Sequence, residues 1–234
     1  MAKAAATSVK NPKRPEKKPS RAERNRARQR DLIAVTRRLF DERGMQEAPI
    51  DAIAREAGIA RGLIYRQFSS KEELFVVTVT DYLLELAHLL EAARDEGGTP
   101  AEQLERGAHV FGGFCVQYPA FLDCALSLMR QGPEEMREMI SDNNFLRLGQ
   151  GMSRCIDTVA RSLKEGNENG DFQVDDPDYL ANFLWTQVLG AMHLTRIRVG
   201  VKQAAPGVPQ LFPIEPEQVI QTCVDSALGL VNPR

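Results

Sequence analysis

Two hundred and thirty-four residues suit one large domain or two small ones. With 43% apolar and 26% charged residues the chain can build a packed core, which excludes a disordered chain, and four cysteines are too few for a disulfide scaffold. The net charge of -2 conceals an asymmetry: residues 1–30 hold eleven Lys and Arg against Glu16 and Glu23, a net of +9, and the other 204 residues net -11.

Divided at residue 75, the first part carries +8 and the remainder -10, so one end suits a polyanion and the rest does not. No apolar run approaches the ~18 residues of a membrane span. The first residues are charged and lack the apolar stretch of a signal peptide. A cytoplasmic protein with no membrane partner is expected. Cys115, Cys124, Cys155 and Cys223 have no metal-ligand or CxxC spacing and sit in apolar helical stretches, so they are expected as reduced core residues rather than redox sensors. His88, His109 and His193 are scattered singly and are expected to be structural, with no metal site and no cofactor.

In chain order, residues 1–19 are rich in Lys, Ala and Pro and predict a disordered basic arm. Ser20-x-x-Glu23 is a capping-box pattern that opens a first helix near Arg21, with a stripe of Leu32, Val35, Leu39 and Phe40, stopped by Gly44. Ile50, Ile53, Ala54 and Ala57 form a short second stripe ended by Gly58, and Ala60 to Phe68 a third helix. Ser70 and Glu73 repeat the capping box and start a fourth helix that runs to about Glu96. Thr99-Pro100-Ala101-Glu102 opens a helix to about Gln117, Pro119 another to about Arg130, and Pro133 a long one towards Glu165, kinked near Ser141–Asn144. Residues 166–170 predict a turn. Asp176-Pro177-Asp178 caps a helix to about Val199, residues 201–214 predict a loop, and Glu215-Pro216 starts the last helix, which ends before Pro233. Nine helices, with no convincing strand pattern and no repeat, predict an all-α protein.

Residues 47–68 have a helix-turn-helix layout: a first helix over Ile50–Ala57, a turn at Gly58-Ile59, and a second helix from Ala60 anchored by Ile59, Ile64 and Phe68. The wider stretch 32–75 resembles the N-terminal domain of the TetR family of transcriptional regulators. The residues that carry the resemblance are Leu39-Phe40-Asp41-Glu42-Arg43-Gly44, then Asp51-Ala52-Ile53-Ala54-Arg55-Glu56-Ala57-Gly58-Ile59, then Gly62 to Phe68 and Ser69 to Phe75. Two positions depart from the family's habit. Ala48-Pro49-Ile50 opens the second helix without a Thr or Ser hydroxyl, and Gln67 stands where His is frequent. The resemblance implies a three-helix DNA-binding domain over 20–75 and a larger ligand-binding and dimerisation domain over 76–234. It implies DNA contacts at Pro49, Ala60, Arg61, Gly62, Leu63, Tyr65, Arg66 and Lys71. Arg61 and Arg66 suit guanine edges or phosphates, Tyr65 and Lys71 suit phosphates, Gly62 allows close approach, and Leu63 suits a thymine methyl.

In the larger domain the resemblance implies a homodimer. The apolar residues of 180–194 (Leu180, Phe183, Leu184, Val188, Ala191 and Leu194, with Gly190) and of 219–230 (Val219, Ile220, Cys223, Val224, Ala227 and Leu228) are its candidate face, with intrachain core as the other reading. Phe111, Phe114, Cys115, Tyr118, Phe121, Met129, Phe145, Met152, Val188 and Met192 are candidate pocket residues, because flexible thioethers and aromatics line adaptable apolar cavities. Ordinary core is the alternative for each. The effector class expected is bulky and apolar: a lipid, an acyl group or acyl-CoA, a steroid or a hydrophobic drug. Arg130, Arg147, Arg196 and Arg198 are available for an anionic head. The expected function is a homodimeric repressor that binds a palindromic double-stranded DNA operator and is released by that effector. The alternative is a DNA-binding protein or activator of the same fold controlled by a protein partner. An enzyme is not expected, since no Gly-rich phosphate loop, nucleophile elbow or metal motif is present.

Overall fold

A computed structural model describes residues 20–44 and 48–231. The basic arm expected over 1–19 lies outside the described residues.

Helix α1 (Arg21–Arg43) begins on the expected reciprocal cap. The Glu23 amide donates to Ser20 Oγ (3.2 Å), and the Ser20 amide donates to the Glu23 carboxylate (2.6 Å). The Gly44 amide closes its far end on the Phe40 carbonyl (2.8 Å). Short helices α2 (Ile50–Glu56) and α3 (Arg61–Tyr65) follow, then α4 (Lys71–Asp95). Leu32, Leu39, Phe40, Ile53, Ile64 and Phe68 are the buried residues that hold these elements together. Helix α4 passes without a break through residue 75, and its buried residues run from Glu73 to Ala93. The N-terminal helices and the rest of the chain therefore share one stiff element and one continuous apolar cluster.

The remaining helices are α5 (Pro100–Gln117), α6 (Pro119–Leu128), α7 (Pro133–Met139), α8 (Asp142–Asn169), α9 (Pro177–Ile197) and α10 (Pro216–Val231). Helix α5 starts on a complete Thr99–Glu102 capping box with Pro100 in its first turn, as its sequence predicts. Helix α4 packs along α8, α5 and α9 lie against α8, and α10 closes against α5 and α9. A smaller cluster around Leu104, Leu163, Phe172 and Val231 seals the end remote from α2 and α3. Among the described residues, no helix is long and apolar enough to cross a membrane.

Four sequence expectations need correction. The long helix expected over 133–165 divides into α7 and α8, because Ile140 turns extended (φ -134°, ψ 160°) and Ser141 restarts the chain. That raises the count from nine to ten helices among the described residues. The turn expected over 166–170 begins later. Helix α8 continues to Asn169, and Gly170 ends it in the left-handed region (φ 79°). Gly166 serves packing, since a Cβ there would lie 1.9 Å from the Phe172 ring. Residues 201–214 are no loop: β1 (Val199–Ala205) and β2 (Val208–Pro213) form an antiparallel hairpin. At Ser70 only half of the capping box forms. The Glu73 amide donates to Ser70 Oγ (2.9 Å), but the Glu73 carboxylate turns elsewhere.

All four cysteines are buried thiols. Burial pushes each above its ordinary pKa, Cys155 to about 12, which keeps them protonated at neutral pH. His88, His109 and His193 are exposed, and His88 lies beside Arg154 (3.4 Å) and Glu91 (3.9 Å).

Candidate nucleic-acid interface and ligand cavity

The turn between α2 and α3 is made by Gly58 (φ 64°), a conformation that costs a side-chain-bearing residue about 1–2 kcal/mol. The Ile59 amide then donates to the Ala54 carbonyl (3.0 Å) and locks the two helices together. Ile64 and Phe68 point inward and are fully buried. Consequently Pro49, Ala60, Arg61, Gly62, Tyr65, Arg66 and Lys71 are all exposed, and Leu63 is half-buried. The structure thus brings the eight candidate contact residues to the outer side of α2, α3 and the start of α4.

Arg61 is already engaged. Its guanidinium donates to both oxygens of Asp51 (3.2 Å each) and to the Tyr65 hydroxyl (3.4 Å), and these contacts raise its pKa further. Both members of the Arg61–Asp51 pair are more than half exposed, so the pair is weak and open to competition. Arg66 differs. It borders a polar cleft of about 370 Å³ with Arg21, Arg24, Asn25 and Arg28 of α1, and with Leu63 and Gln67. Among the described residues, the side chains of these four arginines form no ion pair or hydrogen bond. Sequence reasoning passed over the three arginines of α1. Their spacing of three and four residues places them on one helix face, and that was the available signal.

Behind α4 lies an apolar chamber of about 290 Å³. Val79 and Leu83 of α4, Leu128 and Met129 at the end of α6, Met136 of α7, Phe145 and Met152 of α8, and Trp185 and Leu189 of α9 line it. Among the described residues, no charged side chain borders it, and Gln131 and the Trp185 indole bring polar groups to its wall. A second apolar pocket, about 50 Å³, shares Trp185 and reaches Phe111, Val188, Thr158, Ser162 and Arg94. The Trp185 ring stacks on Phe111 (centroids 4.5 Å apart) and forms the wall between the two.

Of the candidate pocket residues, Met129, Phe145 and Met152 line the chamber, and Phe111 and Val188 line the smaller pocket. Phe114, Cys115, Phe121 and Met192 line neither and are packed in the core. Tyr118 faces away from both. With Tyr82 it sandwiches the Arg37 guanidinium, at 4.6 and 4.0 Å from the ring centroids. Arg37 is also paired with Asp81 (3.1 Å) and Glu85 (2.5 Å), so α1, α4 and the start of α6 meet in one cationic–aromatic joint. Val79, Leu83, Trp185 and Leu189 are chamber residues that sequence reasoning missed. Their apolar side chains look like any other core residue in sequence. Arg130, Arg147, Arg196 and Arg198 border neither cavity, and Arg196 is paired with Asp123 (2.8 Å).

A third feature ties the chamber's edge to the base of α4. The buried Glu73 carboxylate accepts from the Ser69 amide (2.6 Å), the Ser69 hydroxyl (2.8 Å), the Ser141 hydroxyl (3.0 Å) and the Asn144 amide (2.8 Å). Burial alone would raise its pKa, but these four donors outweigh it and hold the carboxyl at about 2. Ser141 and Asn144 open α8 next to Phe145 in the chamber wall. The loop after α3 is thereby fastened to the helix that lines the cavity.

Comparison with known proteins agrees with this geometry. Residues 32–77 match the model of the family described as bacterial regulatory proteins, tetR family. A relative, the HTH-type transcriptional regulator BetI of Brucella canis, is 34% identical over 77 residues. The match covers 33% of this chain and spans only 39% of the relative's length. Among solved structures, a regulatory protein of the tetR family from Rhodococcus RHA1 superposes with a TM-score of 0.64 at 14% identity, covering 88% of this chain and 98% of that one. The transcriptional regulator FadR from Bacillus subtilis, solved in complex with stearoyl-CoA, gives 0.65 at 14% identity, covering 87% and 99%. At such identities the superpositions show a shared fold. Residues 32–77 thus match the DNA-binding domain of the tetR family, and the chain as a whole shares the fold of these regulators.

Proposed function

We propose that this chain is a homodimeric transcriptional repressor whose residues 20–75 bind a palindromic DNA operator and whose residues 76–234 dimerise and take up a bulky apolar effector. One observation carries the reading: a cleft of four arginines, unpaired among the described residues, beside α3 and an uncharged chamber of about 290 Å³ flank the two ends of the same helical frame, joined by α4.

At the DNA end, Arg21, Arg24, Arg28 and Arg66 neutralise phosphates while α3 enters the major groove. Arg61 exchanges Asp51 for a base edge or a phosphate. Pro49, Tyr65 and Lys71 approach the backbone, and Ala60, Gly62 and Leu63 keep the contact face low. The chamber, at the small end of the range for ligand pockets, holds the apolar body of the effector. Its uncharged lining means that an anionic head, if the effector has one, remains outside. FadR was solved with stearoyl-CoA, a ligand of this general kind. Control by a protein partner instead would have been favoured by a filled core. Binding, not turnover, is the work assigned to both sites.

The ligand can act only through unequal affinity for two conformations. Filling the chamber shifts α8 and α6. Glu73 and Arg37 pass that shift to α4 and α1, and the spacing of the two heads changes. Selection of duplexes from a random pool by the purified chain tests the DNA half. The expected product is a palindrome whose half-sites lie about 34–36 Å apart, or a multiple of that, bound with strong salt dependence. Recovery of sequences with no shared site would contradict it.

A further inference from the structure

The hairpin between α9 and α10 is the least supported element of the chain. Two-stranded hairpins are marginal in water without something to pack on. Here Val199–Ala205 and Val208–Pro213 are exposed at every position but Gly200. One of its faces covers itself. The Phe212 ring lies over Gly200, where a Cβ would come within 2.3 Å of it. The other face carries Val199, Val201, Leu211 and Pro213 in cross-strand register, with Val201 68% and Leu211 66% exposed. That face is apolar, open and covered by none of the described residues.

It also continues a second bare surface. On α9, Tyr179, Phe183, Gly190, Leu194 and Ile197 recur at helical spacing on the side away from the core, and the four large ones are exposed by 41–68%. Leu184, Val188 and the apolar residues of α10 expected beside them point into the chain's own core instead. The stripe runs along the helix, about 30 Å long, and passes through Arg198 directly into Val199 and Val201. The two ends of this surface differ in charge. Asp175, Asp176 and Asp178 stand at the start of α9, where Asp176 caps the Tyr179 amide (2.9 Å) and Asp178 is paired with Lys164 (2.8 Å), while Arg198 ends the helix and the hairpin beyond it carries Lys202, on its Phe212 side, and no acidic residue.

We infer that the hairpin is a dimerisation arm: it lies on a second copy of this chain, at the acidic start of the partner's α9. A two-fold axis near Gly190 sets the stripes antiparallel, so that each basic, apolar arm meets an acidic helix start bearing an exposed tyrosine. Gly190 has open space where its Cβ would be, which lets the helices approach closely. Seven residues of strand make the arm about 20 Å long, enough to span the first turns of the partner's helix. The inference rests on the homodimer of the proposed function and adds to it a contact outside the helices.

The test is the monomer–dimer equilibrium of the full chain by sedimentation velocity, across a dilution series, for three proteins. Val201→Lys combined with Leu211→Glu removes the apolar face but places opposite charges directly across the strands, so the hairpin itself is preserved. Phe183→Asp breaks the helical stripe. The expected result is a wild-type dimer, a Phe183→Asp monomer, and a hairpin variant whose dissociation constant rises about tenfold or more with an unchanged circular dichroism spectrum. A hairpin variant that dimerises like the wild type, while Phe183→Asp does not dimerise, overturns the arm and leaves the dimer standing. A wild type that is monomeric throughout removes the dimer and the arm together.

Discussion

Single side chains divide here into those already satisfied and those waiting for a partner. Arg61 has Asp51 and Tyr65; among the described residues, Arg66 has only the cleft it shares with Arg21, Arg24 and Arg28. Arg66→Ala is expected to weaken operator binding by about 1–3 kcal/mol and, if its contact is a phosphate, to reduce the slope of affinity against salt by about one ion. Arg24→Ala should lower the slope without changing site preference. Fluorescence anisotropy at several salt concentrations reads both quantities, and a slope unchanged in both variants would remove the cleft from the interface. Glu73 poses a different question, because its carboxylate works inside the protein. A carboxyl whose folded pKa of about 2 lies below its unfolded value contributes stability that is complete above roughly pH 5 and is lost as pH falls towards 2. Glu73→Gln should cost about 1–3 kcal/mol at pH 7. The gap from the wild type should then narrow steadily on acidification. Thermal unfolding at pH 7 and pH 3 checks this, and a gap that widens at low pH would show that the four donors do not favour the charged form.

At the scale of elements, what the sequence betrayed was whatever local chemistry decides. Ser20–Glu23 and Thr99–Glu102 mark their helix starts because a reciprocal cap needs only residues three apart. Gly58 marks the turn because its backbone angle excludes other residues cheaply. Where a distant partner decides, local patterns mislead. Ser70–Glu73 has the same spacing as the other caps, yet Ser141 and Asn144, seventy residues away in sequence, draw the carboxylate off. Gly166 resembles a turn residue, and only the Phe172 ring explains it. The hairpin was hidden by Pro206, Pro209 and Pro213 and by the lack of any buried face to impose alternation. The chamber shows the same limit. Its methionines and Phe145 stood out by composition, whereas Trp185 and Leu189 belong to it only because α9 crosses α8 there. Filling that chamber is the direct probe of its role. Met152→Trp is expected to abolish the rise in melting temperature that apolar ligands give the wild type and, by occupying the chamber as an effector would, to weaken operator binding. Operator affinity unchanged in a variant that no longer takes up ligand would mean that filling the chamber does not by itself move the heads.

For the whole molecule, the central feature is that the candidate DNA face and the apolar chamber meet on one helix. Helix α4 begins beside the loop after α3, at Ser69 and Glu73, and lines the chamber with Val79 and Leu83 two to three turns later. The Arg37 joint fixes α1 to the same helix and to Tyr118, so the N-terminal helices have little freedom to move independently of α4 and α6. In the proposed mechanism, such a frame converts a small displacement in the cavity wall into a change of head orientation. A fourfold-clasped carboxylate and a sandwiched guanidinium are the two connections that would carry it. The measurement that tests this most directly is operator affinity by anisotropy, with and without a panel of long-chain acyl compounds and steroids, each also scored for its effect on melting temperature. The account predicts that a compound which stabilises the wild type, but not Met152→Trp, weakens operator binding by about tenfold or more. Compounds that fill the chamber by that criterion and leave operator affinity unchanged would contradict it.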